Sequence, residues 1–275
     1  MVNDLALLLI FIAAFVHVIP HATIKSAGDR DVFVWWMLLA NAVIYSPLLF
    51  IQVPRTRVAW GIIIASGLIE TVYLLAISRA YALGNLSVVY PIARGSAPLF
   101  LLVTSVVVLA ERPSAYGVAG IVLISVGIYV MFGGGLPSGA ALGWPLLAGL
   151  MTATYTTVDK IGITFVQPLV YIYLVLVVTA VIYTPIVFMG RRPAAASPRW
   201  TRVLIAAATM PLAYALVLTA MRLGMPASYA GSLREMSVIV AAAIGIGFFG
   251  EPITPGRVAG ACSIAAGIAL IALRG

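Results

Sequence analysis

The sequence predicts an all-α integral membrane protein of ten transmembrane helices, arranged as two inverted five-helix repeats. Three observations carry this reading. First, hydrophobic residues make up 63% of the 275-residue chain and charged residues only 9%, with a mean hydropathy of +1.13. Soluble chains are about 25% charged, so these charges are too few to cover a water-facing surface. Second, hydrophobic blocks long enough to cross a bilayer, roughly 20 residues each, recur between short clusters of Gly, Pro and charge. Third, the second half of the chain echoes the first. Together these exclude soluble enzymes, nucleic-acid binders and disordered chains. No alternation suited to a closed barrel is present, so strands are excluded as spanning elements.

The blocks follow in order. The first, at 4–26, lacks a preceding basic region and outlasts a signal peptide, so it reads as a retained span. Gly28-Asp29-Arg30-Asp31 separates it from the second, at 32–52, and Pro54-Arg55-Thr56-Arg57 opens the third, at 58–83. Leu83-Gly84-Asn85 precedes the fourth, at 86–109, and Glu111-Arg112-Pro113 precedes the fifth, at 114–133. The Gly133–Pro137 run joins two units, 1–135 and 136–275. The sixth block, at 140–161, closes on Asp159-Lys160, and the seventh, at 165–189, closes before Arg191-Arg192-Pro193. Segment 190–201 is the one long loop; the eighth, ninth and tenth blocks lie at 202–222, 226–249 and 255–273.

A shift of 140 aligns Ala80–Ile128 with the second half without a gap. It places Leu83-Gly84 on Leu223-Gly224, Arg94 on Arg234, Glu111 on Glu251, Gly120 on Gly260 and Gly127 on Gly267. Because five spans are an odd number, the second repeat enters the membrane from the opposite side. Inverted repeats of this kind build a site near the midplane of many secondary transporters. A duplicated scaffold that carries nothing is the alternative.

The stretch Ala80-Tyr81-Ala82-Leu83-Gly84, Tyr90-Pro91-Ile92-Ala93-Arg94, Glu111-Arg112-Pro113 and Gly120 with Gly127 resembles the EamA domain of the drug/metabolite transporter superfamily, and Leu223-Gly224 through Gly267 resembles it again. The resemblance implies ten helices, a central cavity between the halves, alternating access and cytoplasmic termini. The positive-inside count alone is nearly tied between the two orientations.

Of 16 basic and 8 acidic residues, nearly all fall at block ends, Asp159 and Lys160 among them. Glu70, Arg94, Arg234 and Glu235 remain inside blocks. A charge at the bilayer centre costs about 2.5–3.5 kcal/mol on insertion scales, so each of the four needs a reason. Arg94 and Arg234 share a repeat position, and a guanidinium offers five donors suited to carboxylate or phosphate. They are expected to bind an acidic group on a substrate, or to form ion pairs with Glu70 or Glu235. Glu70 is expected to carry a proton, balance an arginine or meet a substrate ammonium. Glu235 is expected to balance charge.

His17 and His21 share a face of the first helix beside Pro20. Their spacing can begin a metal site, but no third ligand is evident, so a polar cavity wall is expected and no metal or other cofactor. Tyr73, Tyr90, Tyr214 and Tyr229 complete the expected lining. Pro20, Pro91 and Pro98 are expected hinge or gate positions. The glycines of the fifth and tenth helices suit close packing or a dimer contact. The lone Cys262 forms no disulfide within the chain, and no Walker motif supports ATP-driven transport.

The expected function is secondary active transport of a small polar metabolite with a carboxylate or phosphate-type group, zwitterions included. Coupling would be to protons or to a counter-substrate, in a bacterial-type plasma membrane, as monomer or homodimer and with no nucleic-acid partner. Export of amphiphilic cations is the alternative within transport, and a non-transporting receptor or scaffold the alternative outside it.

Overall fold

The computed structural model describes residues 3–25, 29–83, 86–133, 139–190, 199–250 and 252–275. The Leu83-Gly84-Asn85 and Gly133–Pro137 junctions, Arg191-Arg192-Pro193, Glu251 and the side chains of His21 and Lys25 fall wholly or partly outside the described residues. The described chain is helical throughout and contains no strand among the described residues.

The elements are α1 (Asp4–Lys25), α2 (Arg30–Ile44), a 3₁₀ turn (Ser46–Phe50), α3 (Arg57–Leu83), α4 (Leu86–Leu109), α5 (Ala115–Phe132), α6 (Ala140–Gly162), α7 (Pro168–Gly190), α8 (Trp200–Arg222), α9 (Ala227–Leu233), α10 (Met236–Phe249) and α11 (Pro255–Arg274). Among the described residues, 7 segments are long and apolar enough to cross a membrane, and Asp4–Pro20 and Asp31–Ile44 form shorter apolar helices. Side chains such as Val107, Val181 and Met189 stand exposed, which suits contact with lipid tails.

Two blocks depart from the expected course. The second ends as an α-helix at Ile44, not at 52, and tightens into the 3₁₀ turn with Pro47 at its start. Proline has no N–H to give and its ring clashes with the turn before it, so the α-helix stops. The ninth block, expected as one helix over 226–249, is broken into α9 and α10 at Arg234 and Glu235. Across the break the hydrogen bonds shorten by one residue: Glu235 N–H donates to Ser232 O (3.0 Å), Ser237 N–H to Arg234 O (3.1 Å) and Val238 N–H to Glu235 O (2.9 Å). A tightened turn inside a helix re-aims the side chains it carries.

Local chemistry fixes the other ends. Asp29 caps α2 by accepting from the N–H groups of Asp31 and Val32, Ser114 caps α5 through Gly117 N–H, and Thr254 caps α11 through Arg257 N–H. Gly133 ends α5 in the left-handed region at φ 59°, which a residue without a Cβ adopts freely.

The packing respects the sequence repeat. α1 lies on α8, and the matching pair α6 and α3 lie on each other. α2 packs on α8 as α7 packs on α3, while α2 with α7 and α5 with α11 are pairings between matching blocks. The α5–α11 seam is the tightest. A Cβ at Gly120 would stand 2.7 Å from Gly267 O, and one at Gly127 would stand 2.8 Å from Gly260 O. Ser263 Oγ donates to Leu123 O across the same seam at 2.8 Å. The glycine stripes thus face each other within one chain. Ile121, Ile124, Ile128, Ile264 and Ile271 close the gaps beside them. Replacing Gly127 by Leu is expected to destabilise the fold by about 1–3 kcal/mol through overpacking. This is read as a fall in Tm of the detergent-solubilised protein. Val126→Leu, at an exposed neighbouring position, is expected to leave Tm unchanged.

Candidate functional site

The break between α9 and α10 presents Arg234 and Glu235 to the middle of the bundle. Both are buried, at 4% and 0% exposure. Glu235 Oε1 lies 3.2 Å from Arg94 Nη1 of α4 and 3.8 Å from Arg234 Nη2. One carboxylate oxygen therefore serves two guanidiniums. Arg94 Nη2 also lies 3.1 Å from His17 Nε2 of α1. Arginine can only donate, so His17 Nε2 is the acceptor and the imidazole there carries no proton on that nitrogen. Each guanidinium rests near a tyrosine ring: Arg94 at 5.8 Å from Tyr90 and Arg234 at 5.7 Å from Tyr214. Tyr90 is in turn backed by Phe132 at 5.3 Å.

The local charge is unbalanced, with two fixed cations against one carboxylate. Hydrogen-bonding capacity is also unspent. Arg234 Nε, Glu235 Oε2 and Ser237 Oγ are buried and have no hydrogen-bond partner in the protein. Buried polar atoms are nearly always paired, so three unpaired ones around a single helix break need an explanation.

A second buried polar group adjoins this one. Asp159 of α6 is 1% exposed. Its Oδ1 accepts from Ser66 Oγ of α3 (2.5 Å) and Tyr171 Oη of α7 (2.8 Å), and its Oδ2 accepts from Tyr214 Oη of α8 (2.7 Å). The sequence places Asp159 among the helix-end charges, and it does stand in the last turn of α6, but its side chain is buried, which its place at a helix end did not suggest. The signal was available in Thr152, Thr156 and Asp159, which recur at i, i+4 and i+7 and give α6 one polar face. Tyr73, Tyr155 and Tyr214 continue the wall as two edge-on ring pairs, each 6.0 Å apart.

The structure thus gathers Arg94, Arg234, Glu235, His17, Tyr90 and Tyr214. The other expected lining residues make different contacts. Glu70 meets Thr179, whose Oγ1 is 3.5 Å from Glu70 Oε2, and forms no ion pair with either arginine among the described residues. Tyr73 belongs to the ring wall. Tyr229 turns away to the end of α5, where its Oη accepts from Ser114 N–H at 2.8 Å and its ring covers Gly117. Pro91 and Pro98 flank Arg94 inside α4, and Pro20 lies inside α1. Both helices run through their prolines. The side chain of His21 is outside the described residues.

A polar tie joins α6 to the start of α9 near this site. Lys160 Nζ donates to Glu111 Oε1 (2.6 Å) and Met225 O (2.9 Å). Glu111 also accepts from the first N–H groups of α9, at Ala227 (2.7 Å) and Ser228 (3.3 Å). Burial pushes the Glu111 carboxyl up, but Lys160 and those N–H groups outweigh it and hold it below its ordinary 4.5. A carboxylate with a lowered folded value stabilises above its ordinary value and loses that contribution as pH falls through the lowered one. Glu111→Gln is therefore expected to lower Tm at neutral pH, by a margin that shrinks as pH falls below 4.5. An undiminished margin in acid would contradict the assignment.

Comparison with known proteins sets this geometry in a family. The pattern of the EamA-like transporter family matches residues 4–133 and again residues 139–273, which covers both repeats. No curated protein matches the chain. Among solved structures 29 chains are similar; one crystal structure shares 15% identity over 96% of this chain and 95% of its own, with a TM-score of 0.76, a likeness of fold. With two copies of the family pattern spanning an all-helical, lipid-facing bundle, the chain belongs to the EamA-like transporter family.

Proposed function

We propose that this protein is a ten-span secondary carrier of two inverted repeats that moves a small metabolite bearing a carboxylate or phosphate-type group, zwitterions included. The observation that carries this reading is the unspent capacity at the helix break. Two guanidiniums share one carboxylate oxygen, and Arg234 Nε has no partner in the protein. An anionic group entering here gains charge-assisted hydrogen bonds that the empty site lacks. Glu235 is the internal stand-in for that group. On entry the substrate takes over donors that Glu235 now holds, and Glu235 Oε2 remains available for a substrate ammonium or hydroxyl.

The break itself supports transport. Discontinuous helices at mid-membrane are where secondary carriers place their sites. The pairings α1–α8 and α3–α6 exchange under the repeat, so a bundle rocking from one arrangement to its mirror would trade equivalent contacts. In that scheme the Glu111–Lys160 tie closes one side. Energy would come from a proton or a counter-substrate, in a bacterial-type plasma membrane. The ring wall of Tyr73, Tyr155 and Tyr214 with Glu70 behind it favours a second reading, in which an amphiphilic cation is the cargo and the arginines are structural.

Thermal shift of the purified protein separates the two. The probes are inorganic phosphate and N-acetyl-L-alanine (anions), L-alanine (zwitterion) and tetraphenylphosphonium (lipophilic cation). The anions or the zwitterion are expected to raise Tm. Arg234→Gln and Arg94→Gln are expected to weaken binding by about tenfold or more, the loss of at least one charge-assisted hydrogen bond. Stabilisation by tetraphenylphosphonium alone, surviving Arg94→Gln, would overturn the anion reading in favour of the cation one.

A further inference from the structure

Asp159 is a buried charge that the anion site does not use. Among the described residues no Lys, Arg or His nitrogen lies within ion-pair distance of it. Its partners are three hydroxyls from three other helices, Ser66, Tyr171 and Tyr214. A carboxylate that accepts from three neutral donors and forms no ion pair, at 1% exposure in a membrane bundle, has two states open to it. It can stay anionic on three O–H donors, or it can take a proton and become neutral.

The two states demand different hydrogen bonding. The anion accepts all three O–H groups. Once protonated, the carboxyl brings a donor of its own and has fewer lone pairs to offer, so one hydroxyl must find another acceptor. Tyr214 has one in place: its Oη lies 2.7 Å from Asp159 Oδ2 and 3.4 Å from Thr156 Oγ1. The same Tyr214 ring carries the Arg234 guanidinium at 5.7 Å. A change at Asp159 is thus passed by one side chain to the residue that would hold the substrate.

The geometry points to Asp159 as the proton-binding site of the carrier, coupled through Tyr214 to the anion site at Arg234. This rests on the anion-carrier reading above. The sign follows from electrostatics. Anionic Asp159 offsets part of the Arg234 charge, and a proton on Asp159 removes that offset and leaves Arg234 more attractive to an anion. Proton and anion therefore bind co-operatively, and by linkage each raises the affinity of the other by the same factor. In an alternating-access carrier, sites that fill together travel together, so the coupling makes the protein a symporter. Besides Tyr214, the titratable or charged groups facing Asp159 are Glu70 on α3, Tyr171 on α7 and Arg234 at the α9–α10 break. Glu70, whose carboxyl meets Thr179, is the rival proton site and supplies the control.

Two measurements on the full chain test this. Infrared spectra are recorded without ligand while the pH is lowered. They are expected to show a protonated carboxyl band that Asp159→Asn abolishes, Glu70→Gln keeps and Tyr214→Phe keeps. Calorimetric affinity for N-acetyl-L-alanine, whose carboxylate keeps its single charge over the range, is then followed from neutral to mildly acid pH. Wild type is expected to bind at least about fivefold tighter in acid, the low end of a coupling free energy. Asp159→Asn and Tyr214→Phe are both expected to flatten that dependence, and Glu70→Gln to preserve it. A pH response that survives Asp159→Asn, or that disappears in Glu70→Gln, would overturn the assignment. Should Asp159→Asn fail to fold, Tyr214→Phe decides: a retained band with a flattened affinity profile upholds the coupling, and an unchanged profile overturns it. If no anion binds at all, the function above fails, while the infrared arm still reports on Asp159 by itself.

Discussion

A guanidinium within a membrane protein's helix bundle cannot shed its proton, and this fold contains two of them a few ångströms from one carboxylate. Much of the central architecture can be traced to that constraint. Arg94 of α4 and Arg234 of the α9–α10 break must share Glu235, so α4 and the ninth block are drawn together. The helix that supplies both Arg234 and Glu235 gives up its regular ladder where they stand, since successive positions on an ideal helix point about 100° apart. His17 and the rings of Tyr90 and Tyr214 complete the enclosure. The cost of the arrangement is visible as buried donors and acceptors left over. Those are the features an incoming anion would use.

The polar groups form a connected system that reaches from the α9–α10 break to the start of α9. Tyr214 joins Arg234 to Asp159. Lys160, next in sequence to Asp159, ties down Glu111 and with it the start of α9. α9 is followed directly by Arg234, so the helix that begins at the tie finishes at the arginine pair. A movement that loosened the tie would act on Arg234 through a two-turn segment. The tight α5–α11 seam stands outside this chain of contacts, with backbone close to backbone. A seam of that kind resists sliding and suits a fixed support against which other helices move.

The helical class, the repeat and the burial of Arg94 and Arg234 inside the bundle were all legible in the sequence. Each rests on a signal that needs no tertiary information: hydrophobic block length, identity at a fixed shift, and charge where charge is expensive. The break in the ninth block was not legible, because Arg234 and Glu235 are compatible with a helix locally and only the reach of Arg94 from α4 gives them a reason to leave it. Asp159 was hidden by its neighbour. Asp159-Lys160 reads as a charged helix end, yet Lys160 turns outward to Glu111 while Asp159 turns in to three hydroxyls from distant parts of the chain. Tyr229 went the other way. Proximity in sequence to Arg234 placed it in the lining, but the packing of α9 on α5 directs it to Ser114. Block-level organisation follows from local chemistry; which face of a helix meets which partner does not.

The central claim is that an anion moves through this protein by way of the arginine pair. Counterflow in proteoliposomes tests it most directly. Vesicles are loaded with an excess of the unlabelled anion that stabilises the protein, and the same anion, labelled, is supplied outside at trace concentration. Wild-type protein is expected to accumulate label transiently above equilibrium, and Arg234→Gln, confirmed as folded, is expected to abolish the overshoot. Label that merely equilibrates with wild-type protein, or an overshoot undiminished in Arg234→Gln, would contradict the account.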